Sequence, residues 1–262
     1  MQHIINQIIS YLRENHQDAD NIEKIAAHFG YSKFHFSREF KRLTGFSANQ
    51  FISSLKMEKS IEFLVKENRS VLSAHLQAGF LSAGTFSSSF EKQTGMTPKQ
   101  YQKQLHYLYE VLKEYEQNRS VVKSHYEPSD EIHQQSKCIV TLHFPKEYRR
   151  GVTFVGLFKQ PIPNHRPIVG KAIVGNTICI LDKIPTGKFY LLSCSIEKGA
   201  SLTDYFVMKD CLRAKVEEPI VFPRDNMKDF ELHYRSALPH DPPITINLPK
   251  LLADGLHREK EQ

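Results

Sequence analysis

The chain has no run approaching about 18 uncharged apolar residues, so no membrane-spanning helix is expected. The start, Met1 to Ser10, lacks a basic stretch and a small-residue cleavage site. That predicts no signal peptide and a cytoplasmic protein. Cysteine is scarce: Cys138, Cys179, Cys194 and Cys211, none paired at a C-x2-C spacing. Such thiols read as reduced, buried core residues rather than a metal or redox site. There is no G-x-S-x-G, no H-E-x-x-H and no G-x-x-x-x-G-K. No catalytic set, metal or cofactor is therefore expected, and the chain does not read as an enzyme. His133, His143, His165, His233 and His240 are scattered and read as ordinary surface or core histidines. Glu231 and His233 share one strand face at i, i+2, but alternation alone does not make a site. Proline is almost missing from the first 120 residues, because 12 of the 13 lie beyond them.

At 262 residues the chain suits two domains. Its charge of +6 is compatible with nucleic acid but is not concentrated, since the first 120 residues and the remainder each carry a net +3. Any DNA-binding reading must rest on residue placement.

Ile4, Ile5, Ile8, Ile9 and Leu12 fall at helical spacing, and Phe51, Leu55, Ile61, Phe63, Leu64 and Val65 continue the pattern after a break at Gly45. From about residue 137 short β-rich runs appear: Cys138–Phe144, Val152–Phe158, Thr177–Leu181, Lys188–Cys194 and Phe230–Tyr234. The expected fold class is therefore two domains, an all-α N-terminal one and a mainly β C-terminal one, read as a β-sandwich. The boundaries expected are 1–104, a connecting helix and linker over 105–136, and 137–262.

An internal repeat is the most informative feature. Shifting by 50 residues lays 36–51 on 86–101 with six identities in sixteen positions: Phe36/Phe86, Ser37/Ser87, Phe40/Phe90, Thr44/Thr94, Gly45/Gly95 and Gln50/Gln100. Phe36 and Phe40, four apart, enter one core. Gly45 ends the helix where a positive φ is needed. Ser47-x-x-Gln50 and Thr97-x-x-Gln100 are capping boxes for the next helix, and Pro98 suits a first helical position. Upstream of Phe36, Asn21 caps a short helix, Ala26 permits a close crossing, Gly30 allows a tight turn, and Ser32 caps the next helix. That is a helix-turn-helix pattern. The second helix carries Lys33, Phe34, Ser37, Arg38 and Lys41 in one stripe. Arg38 can pair bidentately with guanine, Phe34 can meet a thymine methyl, and Ser37 can donate or accept. Lys33, Lys41 and Arg42 suit phosphates, which set register rather than sequence.

Gly30-Tyr-Ser-Lys-Phe-His-Phe-Ser-Arg-Glu-Phe40-Lys-Arg-Leu-Thr-Gly45 resembles the first recognition helix of AraC/XylS regulators. Gly79-Phe80…Phe86…Phe90…Thr94-Gly95-Met96-Thr97-Pro98…Tyr101 resembles their second. The likeness covers about residues 3–104. It implies seven helices, two helix-turn-helix subdomains joined by a long helix near Ala48 to Lys66, and two recognition helices in successive major-groove segments. It also leans towards activation through RNA polymerase. The chain departs from the pattern where His75 stands in place of a small residue, and where the second recognition helix carries Gly84 and no Arg before Lys92. The first helix is therefore expected to supply most base readout. Ser82, Thr85 and Ser88 would add weaker base contacts, and Lys99 a phosphate contact.

Tyr101, Leu105, Leu108, Leu112 and Tyr115 make a two-heptad stripe. It fits docking against the chain's own domains or a homodimer contact through residues 101–115. In the second half, Ile178…Ile184-Pro-Thr-Gly187…Ser195 resembles a strand–turn–strand passage of prealbumin-like β-sandwiches, and fits a gyrase-inhibitor-like effector domain too. Leu202 to Val216 could be helix or strand, and the run from Asp241 to Pro249 reads as a Pro-limited terminal strand. The leading expectation is a sequence-specific transcription regulator of double-stranded DNA, modulated by a small molecule or partner at its C-terminal domain. The alternative is a protein-interaction scaffold whose DNA-binding domain no longer reads sequence.

Overall fold

The computed structural model describes residues 2–17, 21–67, 69–118, 123–126 and 136–260. Seven α-helices, counted among the described residues, build the N-terminal part: α1 Ile5–Glu14, α2 Ile22–His28, α3 Lys33–Thr44, α4 Ala48–Val65, α5 Val71–Gln77, α6 Ala83–Thr94 and α7 Pro98–Gln117. Their ends follow side-chain chemistry. Asn21 Oδ1 accepts from the Glu23 and Lys24 amides. Ser47 with Gln50, and Thr97 with Gln100, form reciprocal capping boxes. Each such cap contributes about 1 kcal/mol. Gly45 and Gly95 end α3 and α6 at φ +85° and +73°, where a Cβ would be strained.

The C-terminal half runs β1 Lys123–Tyr126, β2 Ser136–His143, β3 Arg150–Phe158, β4 Val169–Val174, β5 Ile178–Ile184, β6 Gly187–Glu197, α8 Leu202–Val207, β7 Leu212–Lys215, β8 Ile220–Phe222, β9 Asp229–His233 and α9 Leu248–Lys260. A six-stranded sheet is ordered β1-β4-β3-β6-β7, with β8 also on β6, and a three-stranded sheet is ordered β5-β2-β9. Val140, Leu142, Val155, Leu157, Leu181, Leu191 and Leu232 fill the space between the two sheets. The half is thus mainly β, as the patterning predicts. The other face of the large sheet is also covered: Val152, Phe154, Phe158, Cys194 and Ile196 join one core with Met57, Phe90, Leu112, Tyr205 and Leu252 from the helices. β3 is therefore buried on both sides almost throughout, as its largely apolar sequence from Gly151 onwards requires, with the hydroxyl of the one polar residue, Thr153, paired with that of Ser195 at 2.9 Å.

Several expectations are corrected. Tyr101, Leu108, Leu112 and Tyr115 are buried inside this chain, against the large sheet, α8 and α9, and Leu105 packs beside them. The stripe is not free to form a homodimer seam over 101–115, because period reveals an apolar face but not its partner. The run 241–247 forms no strand. Asn247 accepts from the Lys250 amide and starts α9, with Pro249 in the first turn where no helical N–H is needed. Leu202 to Val216 is both helix and strand, α8 then β7. The strand–turn–strand passage through Ile184-Pro-Thr-Gly187 is present as β5 and β6, and the two strands belong to different sheets. His133 and most of the stretch from Asn118 to Gln135 lie outside the described residues.

The two halves interlock. Ile162, fully buried, enters the core of the first helix-turn-helix beside Phe36, Phe40 and Phe51. Thr245 donates to Gln93 Oε1 at 2.7 Å. Arg13 of α1 donates to the Pro239 and Asp241 carbonyls at 2.8 and 2.9 Å. Lys209 donates to the Glu62 carboxylate of α4 at 2.5 Å.

Burial would raise the Glu62 pKa, but hydrogen bonds and charge from Lys209 and Lys59 hold it down to about 2. A depressed carboxyl contributes stability above its unfolded value, and that contribution is lost as pH falls towards the folded one. Lys209→Met is therefore expected to destabilise the protein near neutrality. Its deficit relative to wild type should shrink as pH drops from about 4.5 to about 2. Urea melts across that range test it, and a pH-independent deficit would refute the coupling.

Candidate nucleic-acid interface

α3 buries one face and exposes the other. Phe36 and Phe40 are fully buried, with ring centroids 5.9 Å apart. Lys33, Phe34, Ser37, Arg38, Lys41 and Arg42 are all exposed. Phe34 is 84% exposed, an uncommon position for a large apolar side chain. Arg38 lies with one Nη 3.3 Å from His35 Nδ1 and its Nε 3.8 Å from Glu39, which aims its guanidinium along the helix. His35, passed over in the sequence, stacks on Tyr31 at 5.2 Å and so orients Arg38. Arg42 is less free than expected. Its Nε and one Nη both donate to Glu39 at 3.0 Å, and hydrogen bonding and charge from Arg42 lower the Glu39 pKa.

α6 repeats the arrangement with weaker chemistry. Phe86 and Phe90 are buried, whereas Ser82, Thr85 and Ser88 are exposed on the opposite face, and Lys99 is exposed at the start of α7. The Ser82 hydroxyl donates to Thr85 Oγ1 at 2.9 Å and accepts from the Thr85 amide, so both hydroxyls are partly committed to capping. His75 is buried at the α5–α6 crossing, 5.9 Å from the Phe86 ring, with Nδ1 3.1 Å from the Leu72 carbonyl. The two turns differ. Gly30 is followed by Tyr31 and the cap Ser32, whereas Gly79 is followed by Phe80, Leu81 and the cap Ser82. The extra residue leaves Leu81 91% exposed. The 50-residue shift hid this, because the repeat was aligned downstream of the turn.

At Gly84 an added Cβ would meet nothing within 4 Å. Gly84→Ala is therefore expected to stabilise α6 by about 1 kcal/mol. A thermal melt should show a higher Tm, and an unchanged or lower one would mean that the α6 backbone is constrained in some other way.

The sequence family described as a helix-turn-helix domain matches residues 25–104. Over 83 residues the chain is 34% identical to the multiple antibiotic resistance protein MarA of Escherichia coli, covering 32% of this chain and 65% of MarA. It is 28% identical over 88 residues to the probable transcription factor PqrA of Proteus vulgaris, covering 33% of this chain and 72% of PqrA. The solved DNA-binding domain of AdpA in complex with a target DNA aligns with 39% of this chain and 93% of its own, at 22% identity and a TM-score of 0.38. The chain thus spans just under two thirds of MarA, and these likenesses concern its helical part. With the two capped, Gly-terminated helices and their matching spacing, the family model and the MarA and PqrA matches support an AraC/XylS-type helix-turn-helix domain in the N-terminal part of this chain.

Proposed function

We propose that the chain is a DNA-binding transcription regulator that reads the major groove mainly through α3. The observation that carries this is the stripe of Lys33, Phe34, Ser37, Arg38 and Lys41, left open on a helix whose other face is sealed by Phe36 and Phe40. Arg38, Ser37 and Phe34 are the base-reading residues. Ser82, Thr85 and Ser88 on α6 add weaker contacts, and Lys33, Lys41, Arg42 and Lys99 meet phosphates. Activation by contact with RNA polymerase is the expectation that the family resemblance adds.

The C-terminal half is proposed to modulate this binding, by a small molecule or a partner. Support comes from its grip on both subdomains, through Ile162 on the first and Thr245 on the second. A cavity of about 70 Å³, lined by Phe154, Phe158, Leu192, Ile244 and Leu251, lies between the large sheet and α9, which packs on α7. Selection of genomic fragments by the purified full chain tests the reading. A short enriched motif is expected. Steeply salt-dependent binding without a motif would favour a scaffold that no longer reads sequence, the alternative to which the Arg-free exposed face of α6 points.

A further inference from the structure

β2 and β9 pair in parallel, with Thr141 opposite Glu231 and His143 opposite His233. Paired positions of neighbouring strands send their side chains to the same face. Leu142 and Leu232 point into the core between the sheets. His143, Glu231 and His233 therefore share the outer face of the three-stranded sheet, and all three are exposed. The two imidazoles stack with centroids 4.5 Å apart and planes 11° apart. Glu231 Oε2 lies 3.4 Å from His233 Nε2 and 3.9 Å from His143 Nε2. One donor atom from each side chain lies within 4.8 Å of the other two, and no other such group occurs among the described residues.

We propose that His143, Glu231 and His233 form a binding site for a divalent transition-metal ion of the zinc class. Bonds of about 2.0–2.1 Å to two imidazole nitrogens and one carboxylate oxygen place tetrahedral ligands roughly 3.4 Å apart. The Glu231–His233 pair already has that separation, and binding requires the two imidazoles to turn out of their near-parallel stack so that their lone pairs converge on the ion, a movement that their exposure allows. Two nitrogens and one oxygen suit zinc, nickel or copper, whereas magnesium and calcium prefer all-oxygen shells. The three ligands occupy one side of the ion and leave the solvent side to water. The Cβ positions are fixed in advance, because the site lies on strands rather than loops. Next to it the Tyr234 amide donates to the His143 carbonyl at 2.9 Å, and the buried Tyr234 ring stacks on Phe144 at 4.3 Å. An ion here would bridge β2 to β9, an edge strand of its sheet.

The test is calorimetric titration of the untagged full chain with zinc chloride, beside the His143→Ala/His233→Ala double variant and Glu231→Gln. The expected result is one ion per chain at micromolar affinity. The double variant should weaken binding by at least about tenfold, Glu231→Gln should weaken it less, and magnesium should not bind detectably. Zinc should also raise the Tm of the wild type but not of the double variant. Because all three residues are exposed, the variants should melt like the wild type without metal, which separates ligand loss from misfolding. Zinc binding that the double variant retains, or magnesium binding of equal strength, would overturn the proposal.

Discussion

Arg38→Ala is expected to weaken binding to a selected operator by about tenfold to a hundredfold, corresponding to ~1–3 kcal/mol for one bidentate base contact. It should also relax the preference at one base position. A phosphate-contact variant such as Lys41→Ala should instead weaken all sequences alike and lower the salt slope by about one. Thr85→Ala combined with Ser88→Ala should cost clearly less than Arg38→Ala, because Thr85 is already engaged with the α6 cap. Competition binding at fixed salt checks these ratios. Comparable losses from the two helices would refute the unequal division of labour. The Arg38 side chain is 74% exposed and touches only His35 and Glu39 among the contacts described, so its removal should leave the melting curve unchanged.

Ile162→Ala should cost roughly 2–5 kcal/mol, the range for deleting a buried aliphatic side chain and leaving a cavity. The residue belongs to the C-terminal half in sequence but to the core of the first helix-turn-helix in space. Neighbouring Pro161 seals the same contact, since a Cβ on Gly45 would come within 3.2 Å of its Cγ. With a second core also crossing between the halves, unfolding should be one transition when followed by far-ultraviolet circular dichroism and by tyrosine fluorescence. Ile162→Ala should shift both signals together. A helix signal that melts separately and ignores the substitution would show that the halves are independent.

The helical part was legible because its signals are local. Asn21, Ser32, Ser47, Ser82 and Thr97 cap helices within three residues of themselves, and Gly45 and Gly95 announce helix ends. The exposed faces of α3 and α6 followed from the phase of their phenylalanines. The rest depends on contacts distant in sequence. The Tyr101 to Tyr115 stripe looked the same whether a sheet or a second chain covered it. β4 was not anticipated, and α9 was obscured by prolines that read as strand limits. His143 and Glu231 meet only because β2 pairs with β9 after a long excursion, and parallel pairing of that kind leaves no periodic trace.

The two helix-turn-helix units lie in a single chain, and they differ in turn length and in the chemistry of their exposed faces. Two identical readers related by a two-fold axis would demand a palindrome. If both units read DNA as proposed, two unequal readers joined by α4 demand a site whose ends differ, so that the bound protein points one way along the duplex. Turning the site around relative to a promoter would then swing the C-terminal half to the opposite side.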